Sequence, residues 1–162
     1  MTLSEEFLMG VAAVAIALIG FSGVVISLGR RGSGHWSSAE TLQLRTLVEP
    51  AVITLFGAFT PGIVALATTD QETIWRTANG ILFVGHCVGV GAYLRRGSSE
   101  TIRLSNRIVT VIALIVLVSM LVSALGLIRP IALTFGLGLM IGIIASVHNF
   151  YQLLFPLEPD AE

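Results

Sequence analysis

The 162-residue sequence contains no lysine; all nine of its basic residues are arginine. It has one cysteine, Cys87, which excludes an internal disulfide framework and a thiolate metal cluster built within one chain. Charged residues make up only 12% of the sequence, about half of what a soluble domain carries. The net charge of −1 offers no basic surface for a nucleic-acid partner. Motifs are missing as well. There is no P-loop, zincin helix or nucleotide fingerprint, and no cluster of acids with histidine. Ser22, within Gly20-Phe-Ser-Gly23, has neither a G-x-S-x-G elbow nor a nearby base. A non-enzymatic chain without a resident cofactor is the expectation. Arginine at every basic position fits the codon usage of a GC-rich bacterial genome.

What is present is apolar. Hydrophobic residues make up 54% of the chain and mean hydropathy is +0.89. A hydrocarbon core of roughly 30 Å needs about 20 apolar residues in a helix, and five runs approach that length: 7–28, 47–68, 77–94, 108–128 and 131–155. No remaining stretch could build a soluble domain, so residues 1–162 read as one transmembrane domain. Met1 to Phe7 holds no basic residue ahead of the first run, so that run is expected to remain as a helix and not to be cleaved as a signal peptide. The fold class is an all-α integral membrane protein, a bundle of five transmembrane helices.

Arginines in short loops stay on the cytoplasmic side. The turn after the first run holds Arg30, Arg31 and Arg45, the turn after the third holds Arg95, Arg96, Arg103 and Arg107, and the opposite side holds only Arg76 and Arg129. This split places the N-terminus outside and the C-terminus in the cytoplasm, as a multi-pass protein of the bacterial inner membrane. Trp36 and Trp75 are expected as interfacial anchors. Arg30, Arg31, Arg95 and Arg96 are expected to contact anionic lipid head groups.

The two basic turns resemble each other. Arg30-Arg31-Gly32-Ser33 aligns with Arg95-Arg96-Gly97-Ser98, and Glu40-Thr41-Leu42 with Glu100-Thr101-Ile102. Each copy ends a helix with basic residues and glycine, then starts the next with serine and glutamate; Ser37 and Glu40 have capping-box spacing. The pattern suggests two parallel hairpin repeats followed by a final helix, although turns of this kind also converge on Arg, Gly and Ser. The copies differ in their second helices: Glu49-Pro50, Thr54, Thr60 and Pro61 stand against Val109-Thr110, Leu114, Met120 and Leu121. A proline frees a backbone carbonyl, and freed groups at membrane depth are tolerated where protein or a water-filled cavity satisfies them.

Glu49 is the only acidic residue inside a predicted span. It is a candidate proton or cation site or, lying about one turn from the boundary, an interfacial group that snorkels or meets Arg45. With Glu49 as charged gate, Pro50, Thr54 and Pro61 complete the transport candidates. His86 and His148 are the haem or metal candidates; their depths differ by roughly 9 Å at 1.5 Å per residue, and a lone His in an apolar helix more often hydrogen-bonds a neighbouring helix. Cys87 is expected to pack as a small apolar residue. Arg76 and Asn79 open the third helix on one face, as the outer mouth of a polar path with Asp70 and Glu72 or as a solvated cluster. Ala13, Ala17 and Gly20, Gly85 and Gly89, and Gly138 and Gly142 have the spacing of close helix packing, within the bundle or between copies.

These features point to a small-solute or ion pathway or to a membrane subunit of a larger complex. The partners would be the lipid bilayer, further copies of the chain or other membrane subunits. A haem-binding or redox subunit using His86 and His148, and a scaffold with no substrate, are the alternatives.

Overall fold

Ser4 opens the first helix. Its Oγ accepts the Phe7 amide hydrogen at 3.2 Å, and Glu5 and Glu6 occupy the first turn, where the helix dipole favours acids. The computed structural model describes residues 3–32, 38–96, 104–129 and 131–154. Over these residues the chain forms five helices: α1 (Glu5–Gly32), α2 (Ser38–Ala65), α3 (Gln71–Arg96), α4 (Leu104–Ala124) and α5 (Ile131–Leu154). No strand occurs among the described residues. Four helices, α1, α2, α3 and α5, are long and apolar enough to cross a membrane, whereas the apolar stretch of α4, Ile108–Ala124, is shorter.

The helices outrun the apolar runs at their polar ends. Nine residues of α2 precede position 47, and α3 begins at Gln71 because Asp70 caps it: its Oδ2 accepts the Thr73 amide hydrogen at 2.9 Å and is bonded by the Thr73 hydroxyl. The resembling basic turns fall largely outside the described residues, among them Ser33, His35, Trp36, Ser37, Glu100, Thr101 and Arg103. The backbones of Arg30, Arg31 and Arg96 belong to the last turns of α1 and α3, and the Arg95 side chain is exposed there.

α5 is the hub, with α1, α2, α3 and α4 all packed on it, and α2 touches α1, α3 and α5. Contacts fix the register. Gly142 faces Thr54 and Gly57 faces Leu139, so α2 runs antiparallel to α5, while Gly136 meets Phe7 on the parallel α1. Phe135, Leu82, Met120 and Leu139 are fully buried at the centre. Gly138 and Gly142 allow close approach inside the bundle: a methyl group at Gly138 would run into Met120, and one at Gly142 into Thr54. Ile53 lies over Gly85 and Gly89. Ala13, Ala17 and Gly20 instead face outward. The outer surface is apolar, with Phe56, Ile63, Val88, Val118 and Leu133 all exposed, a burden of exposed apolar side chains foreign to soluble domains.

Candidate functional site

The parallel helices α3 and α5 are tied together in the half of the bundle nearer Glu72. Trp75 packs edge-on to Phe135, with ring centroids 5.6 Å apart. Asn79 Nδ2 donates to Trp75 O at 3.0 Å and to Ile131 O at 2.9 Å. The Thr134 hydroxyl sits 2.8 Å from Ser123 Oγ and 3.4 Å from Asn79 Oδ1, joining α3, α4 and α5 through buried polar groups. The last of these ties is His86, whose Nε2 lies 3.0 Å from Gly138 O.

Beyond His86, toward the arginine-rich end, α3 and α5 part and leave a cleft of about 130 Å³ lined by four helices. Helix α2 contributes Thr46, Glu49, Pro50 and Ile53, and α3 contributes His86, Gly89, Val90 and Tyr93. Val109, Thr110, Ala113 and Leu114 come from α4; Ile141, Gly142, Ala145, His148 and Asn149 come from α5. Most of the wall is apolar, with a few convergent polar groups, the usual make-up of a small-molecule site.

Pro50 shapes the α2 wall. It has no N–H to give to Thr46 O, four residues back, and Asn149 Nδ2 supplies the missing donor at 3.3 Å. The Thr46 hydroxyl lies 3.0 Å from both Leu42 O and Asn149 Oδ1. Glu49 is half-buried beside this junction. With α2 beginning at Ser38, it lies three turns into the helix, and about one turn from Leu44, where the apolar span of α2 begins.

The structure thus brings Glu49, Pro50, His86 and His148 to one cleft, which the sequence named as two separate sets. The two histidines keep the expected offset: Gly142, level with His86, is six residues or roughly 9 Å from His148 at 1.5 Å per residue. His148 Nε2 accepts from Gln152 Nε2 at 2.9 Å. Thr54 lies just behind the wall, fully buried, its Oγ1 pressed on Gly142 and without a hydrogen-bond partner. Pro61 is buried eleven residues beyond Pro50 on α2 and does not reach the cleft. Tyr93, Thr110 and Asn149 are wall residues that the sequence did not single out. Their signal was a polar group in an apolar run, which by itself does not say which groups converge. Among the described residues no three His, Cys, Asp or Glu side chains gather as a metal site.

Three positions on α3 differ from expectation. Trp75 is buried against Phe135 and is not an interfacial anchor. Asn79 is fully buried and separated in role from Arg76, whose guanidinium pairs with Glu72 at 3.4 Å and donates to Leu125 O at 3.3 Å. Cys87 is exposed on the outside of α3 and does not pack inside the bundle. Glu72 also meets Arg129 at 3.4 Å, joining the first turn of α3, which follows the α2–α3 turn, to the α4–α5 turn. Asp70, in the α2–α3 turn, has its carboxyl held below the ordinary 3.8 by the Thr73 hydroxyl and then the Thr73 amide.

Comparison of the chain with protein-family models, with curated proteins and with solved structures finds no match.

Proposed function

We propose that the chain is a five-span protein of the bacterial inner membrane whose α2–α5 cleft is the vestibule of a pathway for a small solute or ion. The observation that supports this reading most is the cleft itself, where one carboxylate and two histidines line a mostly apolar wall that stops at the His86–Gly138 tie. α4, helical over 21 residues, is about 32 Å long at 1.5 Å per residue and serves as the fifth span. The charge split puts the N-terminus outside, the arginine-rich end and the C-terminus in the cytoplasm, and Arg30, Arg31, Arg95 and Arg96 at the lipid head groups. The vestibule then faces the cytoplasmic half, and the Asn79, Ser123 and Thr134 cluster closes the outer half. The paired helices α1–α2 and α3–α4 are the two hairpin repeats. A small bundle completes such a path with further copies of itself or with other membrane subunits.

The test is flux across liposomes containing the purified protein, with a panel of potassium, ammonium, urea, glycerol and acetate. At least one should cross faster than in protein-free vesicles, and Glu49→Gln should slow it while the protein still assembles. No accelerated solute in the panel, or flux unchanged by Glu49→Gln, overturns the reading. The haem alternative draws on His86 and His148 sharing one cleft. A near-400 nm band that sharpens on reduction and is lost on replacing either histidine would replace the pathway with a redox subunit.

A further inference from the structure

The cleft changes character with depth. Three contacts set the levels: Met120 meets Gly138, Thr54 meets Gly142, and Asn149 Nδ2 bonds to Thr46 O. Counting from them along the antiparallel neighbours of α5 at 1.5 Å per residue, Ile53 stands beside Ile141 and Gly142, and Ala113 less than a turn beyond. Ile53 also lies over Gly89 of α3. These five residues and the His86 ring line the inner end of the cleft. Glu49, Thr110, His148 and Asn149 all stand more than a turn nearer the arginine-rich end and form the rim. The four lining helices touch in a ring, α2 with α3, α3 with α4, α4 with α5 and α5 with α2. The inner end therefore lies on the axis of this ring and not on the outer surface.

Polar groups of the wall are committed to the protein. His86, the one polar side chain at the inner end, is tied through Nε2 to Gly138 O. At the rim, Thr46 and Asn149 bond to each other across α2 and α5, and His148 to Gln152. Glu49 and Thr110 have interactions of their own. A buried water is held by about three hydrogen bonds, and apolar cavities without such partners stay dry. The inner end is such a place, whereas the rim is polar enough to be wet. A dry cavity of about 150 Å³ takes up benzene or xenon. The whole cleft is about 130 Å³, and its apolar end, a part of that, suits up to about four heavy atoms.

From the aliphatic inner end, the commitment of every polar group named above and the closed ring of helices, we infer that the cleft floor binds a small uncharged apolar molecule, a gas or a short hydrocarbon. The ligand rests on Ile53, Ala113 and Ile141, and the bare faces of Gly89 and Gly142 make the room for it. Its affinity comes from leaving water, so a charged molecule of the same size is excluded. This goes beyond the pathway reading, since it needs only a dry inner end beneath a wet rim.

The test is methyl NMR of the full chain, isoleucine-labelled, in lipid nanodiscs under increasing xenon pressure. The Ile53 and Ile141 methyl resonances should move along a saturating curve. Ile16, Ile63 and Ile115 face outward and should move only in proportion to the xenon dissolved in lipid. Methylammonium, the charged probe, should move neither set. Ala113→Leu fills the inner end and should abolish the saturating component. Should that variant fail to fold, cyclopropane competing with xenon for the Ile53 shift in wild-type protein replaces it. Ile53 and Ile141 responding only in proportion to pressure, or more to methylammonium than to xenon, overturns the inference. So does a nitroxide at the tail end of a lipid that broadens Ile53 and Ile141 as much as the outward isoleucines, because an acyl chain then fills the cleft. Solute flux without saturable xenon binding removes this site and leaves the pathway; xenon binding without flux keeps the site and removes the pathway.

Discussion

Asn149 Nδ2 stands 3.3 Å from Thr46 O, the carbonyl that Pro50 leaves without its helical donor. The same amide group donates to Ala145 O at 2.8 Å, so one side chain closes a gap in α2 while anchored on α5. The break in α2 and its repair both lie on the cleft wall. A proline that would disturb an isolated helix is tolerated here because a neighbouring helix re-satisfies the freed group.

Replacing Asn149 with alanine removes the donor that Asn149 gives to Thr46 O and should cost about 1–3 kcal/mol. In a Pro50→Ala background the new amide at position 50 takes over that carbonyl, and the cost of Asn149→Ala should shrink. A double-mutant cycle on unfolding in mild detergent measures the difference; equal costs in both backgrounds would disprove the link.

Gly142 of α5 lies against α2, and a methyl group there collides with Thr54 Oγ1. Gly142→Ala should destabilise the bundle by about 1–3 kcal/mol. The next atoms, His86 Cε1 and Pro50 O, would each lie 3.4 Å away, ordinary contact. Thr54→Ala should therefore rescue most of the loss, as read from thermal unfolding midpoints of the single and double variants.

Gly126 ends α4 with φ +76°. The Leu127 amide bonds to Val122 O at 3.0 Å and the Gly126 amide to Ser123 O at 2.9 Å, a Schellman ending. A side chain there would also displace the Arg76 guanidinium. Gly126→Ala should cost about 1–3 kcal/mol, falling to about 1 kcal/mol, the left-handed backbone cost alone, in an Arg76→Ala background. Chemical unfolding of the four variants checks both values.

Apolar run length made the five helices legible, and α5 begins at the expected residue. The ends of α2 and α3 were not legible from hydropathy, because Glu40, Thr41 and Arg45 continue a helix that apolar counting stops. The Asp70 cap ahead of Thr73 was a readable start signal for α3. Glu49, Pro50, His86 and His148 were each visible as polar or helix-breaking residues in apolar surroundings. Their convergence was not, since it depends on how each helix is rotated about its axis and on where α3 leaves α5. For the same reason Trp75, read as an anchor, turns inward onto Phe135.

Acid should weaken the capped start of α3. The carboxyl of Asp70 is held below its ordinary 3.8 in the fold. A depressed carboxyl contributes stability that is present above its unfolded pKa and is lost as pH falls through the folded one. Unfolding midpoints followed from about pH 6 to about pH 3 should fall more steeply for the wild type than for Asp70→Asn. Parallel curves would remove Asp70 as the cause.

The most direct measurement is the accessibility of the cleft from each side of the membrane. In a Cys87→Ser background, a single cysteine replacing Ala145, on the cleft wall, is treated with a membrane-impermeant cationic thiol reagent. Ala78→Cys, at a fully buried position, serves as the unreactive control. A water-filled vestibule facing the cytoplasm predicts labelling of Ala145→Cys in inside-out vesicles and none in right-side-out vesicles. Labelling only from the outer face, or none from either, contradicts it.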